Sequence, residues 1–353
     1  MKKIELLLVT NRVPTYRIPL FESLSDFVNL TVVHSGRPNP EHKNYNEVTL
    51  NCVNLGPFYV QPQLLFFDFG KYDLVIYSCD LRWICSILMY VLQRRGHRRI
   101  LWGGWVTKNG IANKLRVWLQ NNSEANIFYC KKHIEEFASL GMRRSGNFVA
   151  NNTVFVHSAA DSSSESEGFQ FLHVGTLNSR KRLDIAVSAI SILVSEGIKC
   201  KLLIIGEGEN RSNLERQVEE LSLRESITFF GHIEKECELA CFYRKCIASI
   251  SPGQAGLSVL QSMAFGVPFI TYSAAISGGE IYNIENNFNG ILVEKLSVDS
   301  FATVLRKICK EELDLASMGA NAYKHYKENA SMEGMAKSFK DSIDYALDAS
   351  KNE

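Results

Sequence analysis

The chain has no Asp-x-Asp pair, no run close to the roughly 20 apolar residues of a membrane span, and no cysteines at metal or disulfide spacing. Each absence removes a class. The first removes the simplest acidic metal site, and the second removes a transmembrane segment. The N-terminal MKKIELLLVTNR is apolar too briefly, and turns polar too soon, for a secretory signal, so the expected location is the cytoplasm. The cysteines number nine, an odd count; Cys237, Cys241 and Cys246 lie closest, but their spacing fits no common zinc pattern and no histidine completes it. They read as small buried hydrophobes in a reducing compartment. No repeat of fixed period is visible.

What is present is 353 residues, 46% of them hydrophobic, enough for two domains with separate cores. The net charge of +1 hides a split: residues 1–160 hold 19 Lys and Arg against 11 Asp and Glu, leaving 20 against 27 for the rest. A basic first half suits anionic headgroups or a phosphate-bearing substrate; no base-reading module accompanies it, so nucleic acid is not expected.

Both halves alternate short β-rich runs with longer helical patterns, the signature of parallel sheets with crossover helices. The first half places strands at 4–9, 30–34, 74–78, 100–102 and 126–129; the second at 171–174, 202–205, 227–230, 247–250 and 269–271. Two doubly wound, Rossmann-like α/β domains follow, at 1–156 and 169–330. Between them HSAADSSSESEG, 157–168, reads as a solvated linker. At the end, Met332, Met335, Phe339, Ile343 and Leu347 fall at helical spacing, so 331–349 is expected to form one amphipathic helix within a final segment, 331–353.

Ligands of doubly wound sheets sit outside the carboxyl ends of the strands. Four strand ends of the second half carry glycine: GTLNSRKRLD (175–184), GEGENR (206–211), GHIEKE (231–236) and the loop of SPGQAGLSVLQSMAFGVPFIT (251–271). In the last, Gly253 and Gly256 allow close backbone approach, and the amides near Leu257, Ser258 and Val259 open a short helix that would favour an anion. GEGENR lacks the third glycine of a dinucleotide fingerprint and sits on an inner strand, which argues against a nicotinamide cofactor. Arg180 and Lys181 are placed to offset diphosphate charge, or else form a solvated helix start.

These loops resemble the donor-binding half of the family-4 glycosyltransferases, which have the GT-B fold: two Rossmann-like domains facing a central cleft, with a C-terminal helix returning to the first. In VGTLNSRKRLD, Lys181 stands at the family's lysine for the leaving diphosphate. GEGENR and FFGHI resemble the next two nucleotide-wrapping loops, and GGEIYNIENNFNGILV (278–293) the segment after the family's most specific motif. That motif holds two glutamates separated by seven residues; the first falls on Gly253 and the second on Gln261. Gln261 can still bond a ribose diol through its amide, whereas Gly253 cannot contact the donor sugar, which leaves backbone amides or Glu280. Thr176 replaces a usual arginine. Some bacterial polysaccharide enzymes of similar sequence carry a comparable version of the motif.

The resemblance implies that the donor meets Gly175, Thr176, Gly206, Gly208, Gly231, His232, Gly253, Gly256, Leu257, Ser258, Gln261 and Glu280, with Lys181 and Arg180 catalytic. The first domain would hold the acceptor. TNRVPTYRIPLFESL (10–24) offers Asn11, Arg12, Tyr16 and Arg17 as a polar, cationic rim; arginines near helix starts are as often merely solvated. In LWGGWVTKNG (101–110), Gly104 occupies the place where relatives often have histidine, which leaves Lys108 as the nearest charge. WICSILMYVLQRRGHRR (83–99) is either a buried helix with a solvated end or a shallow dock on anionic lipid.

The implied reaction transfers a sugar from a nucleotide diphosphate, UDP or GDP undecided, to a hydroxyl of a glycan or polyprenyl-linked acceptor. It proceeds with retention, without metal or other cofactor, in surface-polysaccharide synthesis, with possible peripheral contact at the inner membrane face. The competing readings are a non-catalytic nucleotide-sugar binder, favoured by the missing glutamates, and a sugar-nucleotide epimerase.

Overall fold

The computed structural model describes residues 3–38, 44–93, 98–156 and 168–348. Its strands are β1 (Ile4–Val9), β2 (Val28–His34), β3 (Asn46–Thr49), β4 (Val53–Leu55), β5 (Phe58–Val60), β6 (Leu74–Ser78), β7 (Arg98–Trp102), β8 (Ala125–Phe128), β9 (Asn147–Val149), β10 (Phe169–Val174), β11 (Cys200–Ile205), β12 (Ile227–Gly231), β13 (Ala248–Ile250), β14 (Phe269–Tyr272) and β15 (Gly290–Val293). Its helices are α1 (Ile18–Ser25), α2 (Ile84–Leu92), α3 (Gly110–Asn121), α4 (Lys131–Ser139), α5 (Leu183–Ser195), α6 (Arg211–Glu220), α7 (Glu236–Lys245), α8 (Ser258–Ala264), α9 (Val298–Cys309), α10 (Leu315–Asn329) and α11 (Met332–Asp348). Two compact units result: Met1–Phe155 with Ser331–Glu353, and Val156–Ala330. The stretch read as a linker, 157–168, lies outside the described residues except for Gly168.

The first unit is built on a parallel sheet of seven strands in the order β3-β2-β1-β6-β7-β8-β9. Alternate residues of a strand point to opposite faces, so the near-continuous apolar run of β1 supplies both layers. Leu6 and Leu8 join Val32, Ile76 and Ile100 on one face; Leu7 and Val9 join Val33, Val75 and Tyr77 on the other. The first of these layers is completed by α1 and by α11, which buries Met332, Met335, Phe339 and Ile343 there. The last helix of the chain therefore closes the core of the first sheet, with the Phe339 ring edge-on to Trp102 at 5.1 Å.

The second unit has six parallel strands, in the order β12-β11-β10-β13-β14-β15. Phe171, Leu202, Ile204 and Ile250 pack with α5, α6 and α9 on one face, and Leu172, Leu203 and Ile205 pack with α7 on the other. In both sheets the order reverses beside the first strand of the unit, at β1/β6 and at β10/β13. Crevices at such switch points, outside the strand carboxyl ends, are where ligands bind in this architecture.

The ten strands expected from the sequence all form. The sheet strands not foreseen, β3, β9 and β15, are all sheet edges. They read NEVT, NFV and GILV, too short, too polar or too glycine-led to stand out. The small β4–β5 hairpin, turned at Gly56 (φ 61°), was likewise not visible.

Candidate functional site

At the end of β10 the chain turns sharply through Gly175 (φ 148°), anchors the wholly buried Leu177, and makes a 3-10 turn at Ser179–Lys181 before α5. Asn178 Oδ1 caps that turn by accepting from the Arg180 amide at 3.1 Å. The turn separates the two expected cations. Arg180 is exposed, whereas Lys181 folds inward and is buried. Burial pushes the Lys181 ammonium below its ordinary pKa, Arg180 adds to the shift, and Glu280 opposes it. No hydrogen bond or ion pair among the described residues ends on its Nζ.

A side chain on Gly175 would place its Cβ 3.5 Å from Lys181 Nζ and 3.7 Å from His173 Nε2, so all three crowd one point at the strand end. His173 was not singled out from the sequence. Its Nδ1 lies 2.9 Å from the Ile250 carbonyl of the neighbouring strand, which fixes the proton there; its buried Nε2 has no partner. Desolvation, and next Lys181, push its pKa down to about 4, so the ring is neutral at pH 7. Glu280 is buried too, its carboxylate accepting from the Gly278 amide at 2.9 Å and the Ser277 hydroxyl at 3.2 Å.

The neighbouring glycines lock loop against loop. A Cβ on Gly206 would lie 2.0 Å from the Gly175 carbonyl oxygen, and one on Gly208 2.3 Å from that of Leu177. The Gly206 amide in turn donates to the Gly231 carbonyl at 2.7 Å. Their glycine identity is thus required by the backbone of the protein itself. Thr176 and His232 are exposed on these loops.

Gly253 departs most from expectation. It was read as a place of open backbone approach, yet it is buried, donates to the Lys181 carbonyl at 2.9 Å, and would set a Cβ 2.4 Å from the Arg180 carbonyl oxygen and 2.7 Å from Arg182 Cγ. Arg182 holds a left-handed conformation (φ 52°) to bring this about. Gly256, by contrast, faces open space. Beyond it, the Val259 amide, expected to await an anion, donates to the Gly256 carbonyl at 2.9 Å. Leu257 serves as N-cap residue of α8, a helix of seven residues, and the buried Ser258 hydroxyl has no partner. Gln261 accepts from the buried Tyr243 hydroxyl at 3.3 Å.

In the first unit the loops after β1, β6, β7 and β8 line a cavity of about 460 Å³ that includes Asn11, Arg12, Tyr16 and Arg17. Arg17 is not the solvated cation anticipated. It is buried, with its guanidinium 4.7 Å from the Trp102 ring and 5.2 Å from that of Tyr16, and bonded to Asn152 Oδ1 and Met335 Sδ. Arg12 is exposed. Lys108 is exposed and not part of the lining; Arg116 of α3 and Arg82 take that role. Neither could be inferred from sequence, since each lies far along the chain from the loop after β1. Among the described residues no helix is long and apolar enough to cross a membrane, and no group of three or more His, Cys, Asp or Glu is placed to hold a metal.

Residues 158–325 match the family model described as glycosyl transferases group 1. The poly(glycerol-phosphate) alpha-glucosyltransferase of Bacillus subtilis (strain 168) is 22% identical over 207 residues, 58% of this chain and 30% of that protein. The poly(ribitol-phosphate) alpha-N-acetylglucosaminyltransferase of Staphylococcus aureus (strain COL) is 21% identical over 163 residues, 46% and 33% respectively. The aligned part thus spans about a third of these curated relatives. Among solved structures, Anabaena HepE in complex with UDP and glucose is similar with a TM-score of 0.72 at 13% identity, covering 97% of this chain and 99% of that one. The two parallel-sheet α/β units of this chain have the fold of the GT-B glycosyltransferases.

Proposed function

We propose that the protein is a glycosyltransferase that moves a sugar from a nucleotide diphosphate to a hydroxyl of a glycan or lipid-linked glycan, with retention, in surface-polysaccharide synthesis. The observation that carries this is Lys181: an ammonium buried at the carboxyl end of β10, with no partner among the described residues, inside the segment that matches the group 1 family model. A buried cation is costly unless an anion completes it, and a diphosphate is that anion.

Lys181 would neutralise charge on the departing phosphate, assisted from the surface by Arg180. Such a cationic route would need no metal ion. Glu280 supplies a carboxylate whose charge acts on this cation and would take the sugar-contacting role that Gly253 cannot. Gln261 would hold the ribose hydroxyls. The leaving phosphate oxygen removes the acceptor proton, so no side-chain nucleophile is needed. The UDP and glucose held by the Anabaena protein support a nucleotide-sugar donor, with UDP or GDP left open. Peripheral membrane contact is supported by α2, whose Ile84, Leu88 and Leu92 face outward; Arg94 and Arg95, which follow, lie outside the described residues.

Incubation with UDP- and GDP-sugars and a polyprenyl-linked acceptor tests the proposal. Glycosylated lipid supports transfer. Binding of the donor without turnover would favour the non-catalytic reading, which the closed position of Gly253 supports; a released epimer would favour an epimerase.

A further inference from the structure

The cavity of the first unit is lined by Trp102 and Arg116, and each carries a donor that lacks an acceptor. Trp102 is buried and its Nε1–H meets no partner; Arg116 Nε–H is likewise buried and unpartnered. Indole and guanidinium N–H groups donate and never accept, so what is missing beside them is an acceptor. The remaining bonds of Arg116 are long, 3.3 Å to Asn113 Oδ1 and 3.4 Å to Thr107 Oγ1, which leaves its guanidinium available.

Charge points the same way. Arg12, Arg17, Arg82 and Arg116 line the cavity against a single acid, Asp80. Asp80 is consumed by Arg82, whose Nη2 and Nε reach its two oxygens at 2.7 and 2.9 Å. Arg12, Arg17 and Arg116 have no carboxylate partner among the described residues. An excess of cations over acids in one cavity favours an occupant of more than one negative charge, and a phosphoryl group offers acceptor oxygens in enough directions to meet donors from separate strand ends. Trp105 and Tyr16, also in the lining, present aromatic faces to the less polar part of such a ligand.

We propose that this cavity binds a phosphoryl-bearing acceptor, with Arg116 and Arg12 on the phosphate oxygens. Calling the ligand an acceptor rests on the glycosyltransferase reading; the anion site itself does not. The cavity volume of about 460 Å³ accommodates a monosaccharide phosphate or the first units of a polyol phosphate.

The test is calorimetry on the full chain with glucose 1-phosphate and with methyl glucoside, each at saturating UDP so that the second unit is occupied. Glucose 1-phosphate is expected to bind, and methyl glucoside to bind at least about tenfold more weakly, as the loss of charge-assisted hydrogen bonds requires. Arg116→Gln is expected to weaken the phosphate probe about tenfold while leaving UDP affinity unchanged, and added salt to weaken it further. Arg12→Gln, at an exposed position of the same lining, gives a second arm should Arg116→Gln fail to fold. Equal affinity for charged and neutral probes, or a phosphate probe indifferent to both substitutions, overturns the proposal. Loss of UDP binding in the unaltered chain would instead sink the donor assignment, leaving the anion-site result to stand by itself. Glycerol phosphate and a short prenyl phosphate in detergent micelles then distinguish a polyol phosphate from a lipid phosphate as the source.

Discussion

The backbone of Gly253 packs so closely on that of Arg180 that any Cβ at 253 would stand 2.4 Å from the Arg180 carbonyl oxygen. The space that a side chain at 253 would need is filled by the 180–182 segment. Placing a glutamate there, Gly253→Glu, should therefore not improve activity. It should destabilise the second unit by about 1–3 kcal/mol, the usual cost of overpacking, or by more because backbone must move. Urea denaturation and donor KM check this; a fully stable variant with a lower donor KM would contradict it.

In the proposed reading Lys181→Ala should lower kcat by at least about tenfold, since a cation held at the leaving group would act chiefly in the transition state. The sign of its pH dependence follows from the depressed pKa. Burial, the largest cause, disfavours the ammonium, so the charged form is lost at a lower pH than for a solvated lysine. UDP affinity should then fall as pH rises through that lowered value, and Lys181→Ala should flatten this alkaline limb. A limb unchanged in the variant would assign the titration to another group.

His173 ties the same site to acid stability. Its folded pKa of about 4 lies below the ordinary 6.5, so between those values the unfolded chain binds the extra proton. Stability should be complete above pH 6.5 and decline as pH falls toward 4, by on the order of 3 kcal/mol over the whole window. His173→Asn retains a donor for the Ile250 carbonyl but cannot titrate. Denaturation midpoints at pH 4.5 and 7.0 should differ less in this variant, even if it is less stable at both.

How much of this was legible without coordinates depends on how local each feature is. The central strands declare themselves because both faces are buried and their apolar runs are nearly continuous; the edges β3, β9 and β15 are only three or four residues long, and the first two are partly polar. Lys181 is readable from a strand, a glycine and a loop within eleven residues. That it turns inward while Arg180 turns outward depends on the Asn178-capped turn and on Glu280, a hundred residues later. Arg17 looked like a rim cation because its cage, Trp102 and Met335, arrives from distant strands and from the far end of the chain. Sequence patterning carries periodicity and glycine; it does not carry which cations a tertiary fold gathers, which is why Arg116 and His173 emerged only with the structure.

The placement of α11 makes the end of the chain part of the core of the first unit. Phe339 is wholly buried, between the cluster around Leu6 and Leu8 and the ring of Trp102. Phe339→Ala removes the largest apolar contact of this helix and should cost about 3–5 kcal/mol, as large-to-small changes of aromatic core residues do. Because Met335 of the same helix bonds Arg17, and Arg17 packs on Trp102, loosening α11 should also disturb the cavity of the first unit. Binding of glucose 1-phosphate should weaken in Phe339→Ala, while UDP binding, which the proposed function assigns to the second unit, should persist. If UDP affinity fell together with the phosphate probe, the two units would be coupled more tightly than their separate cores require.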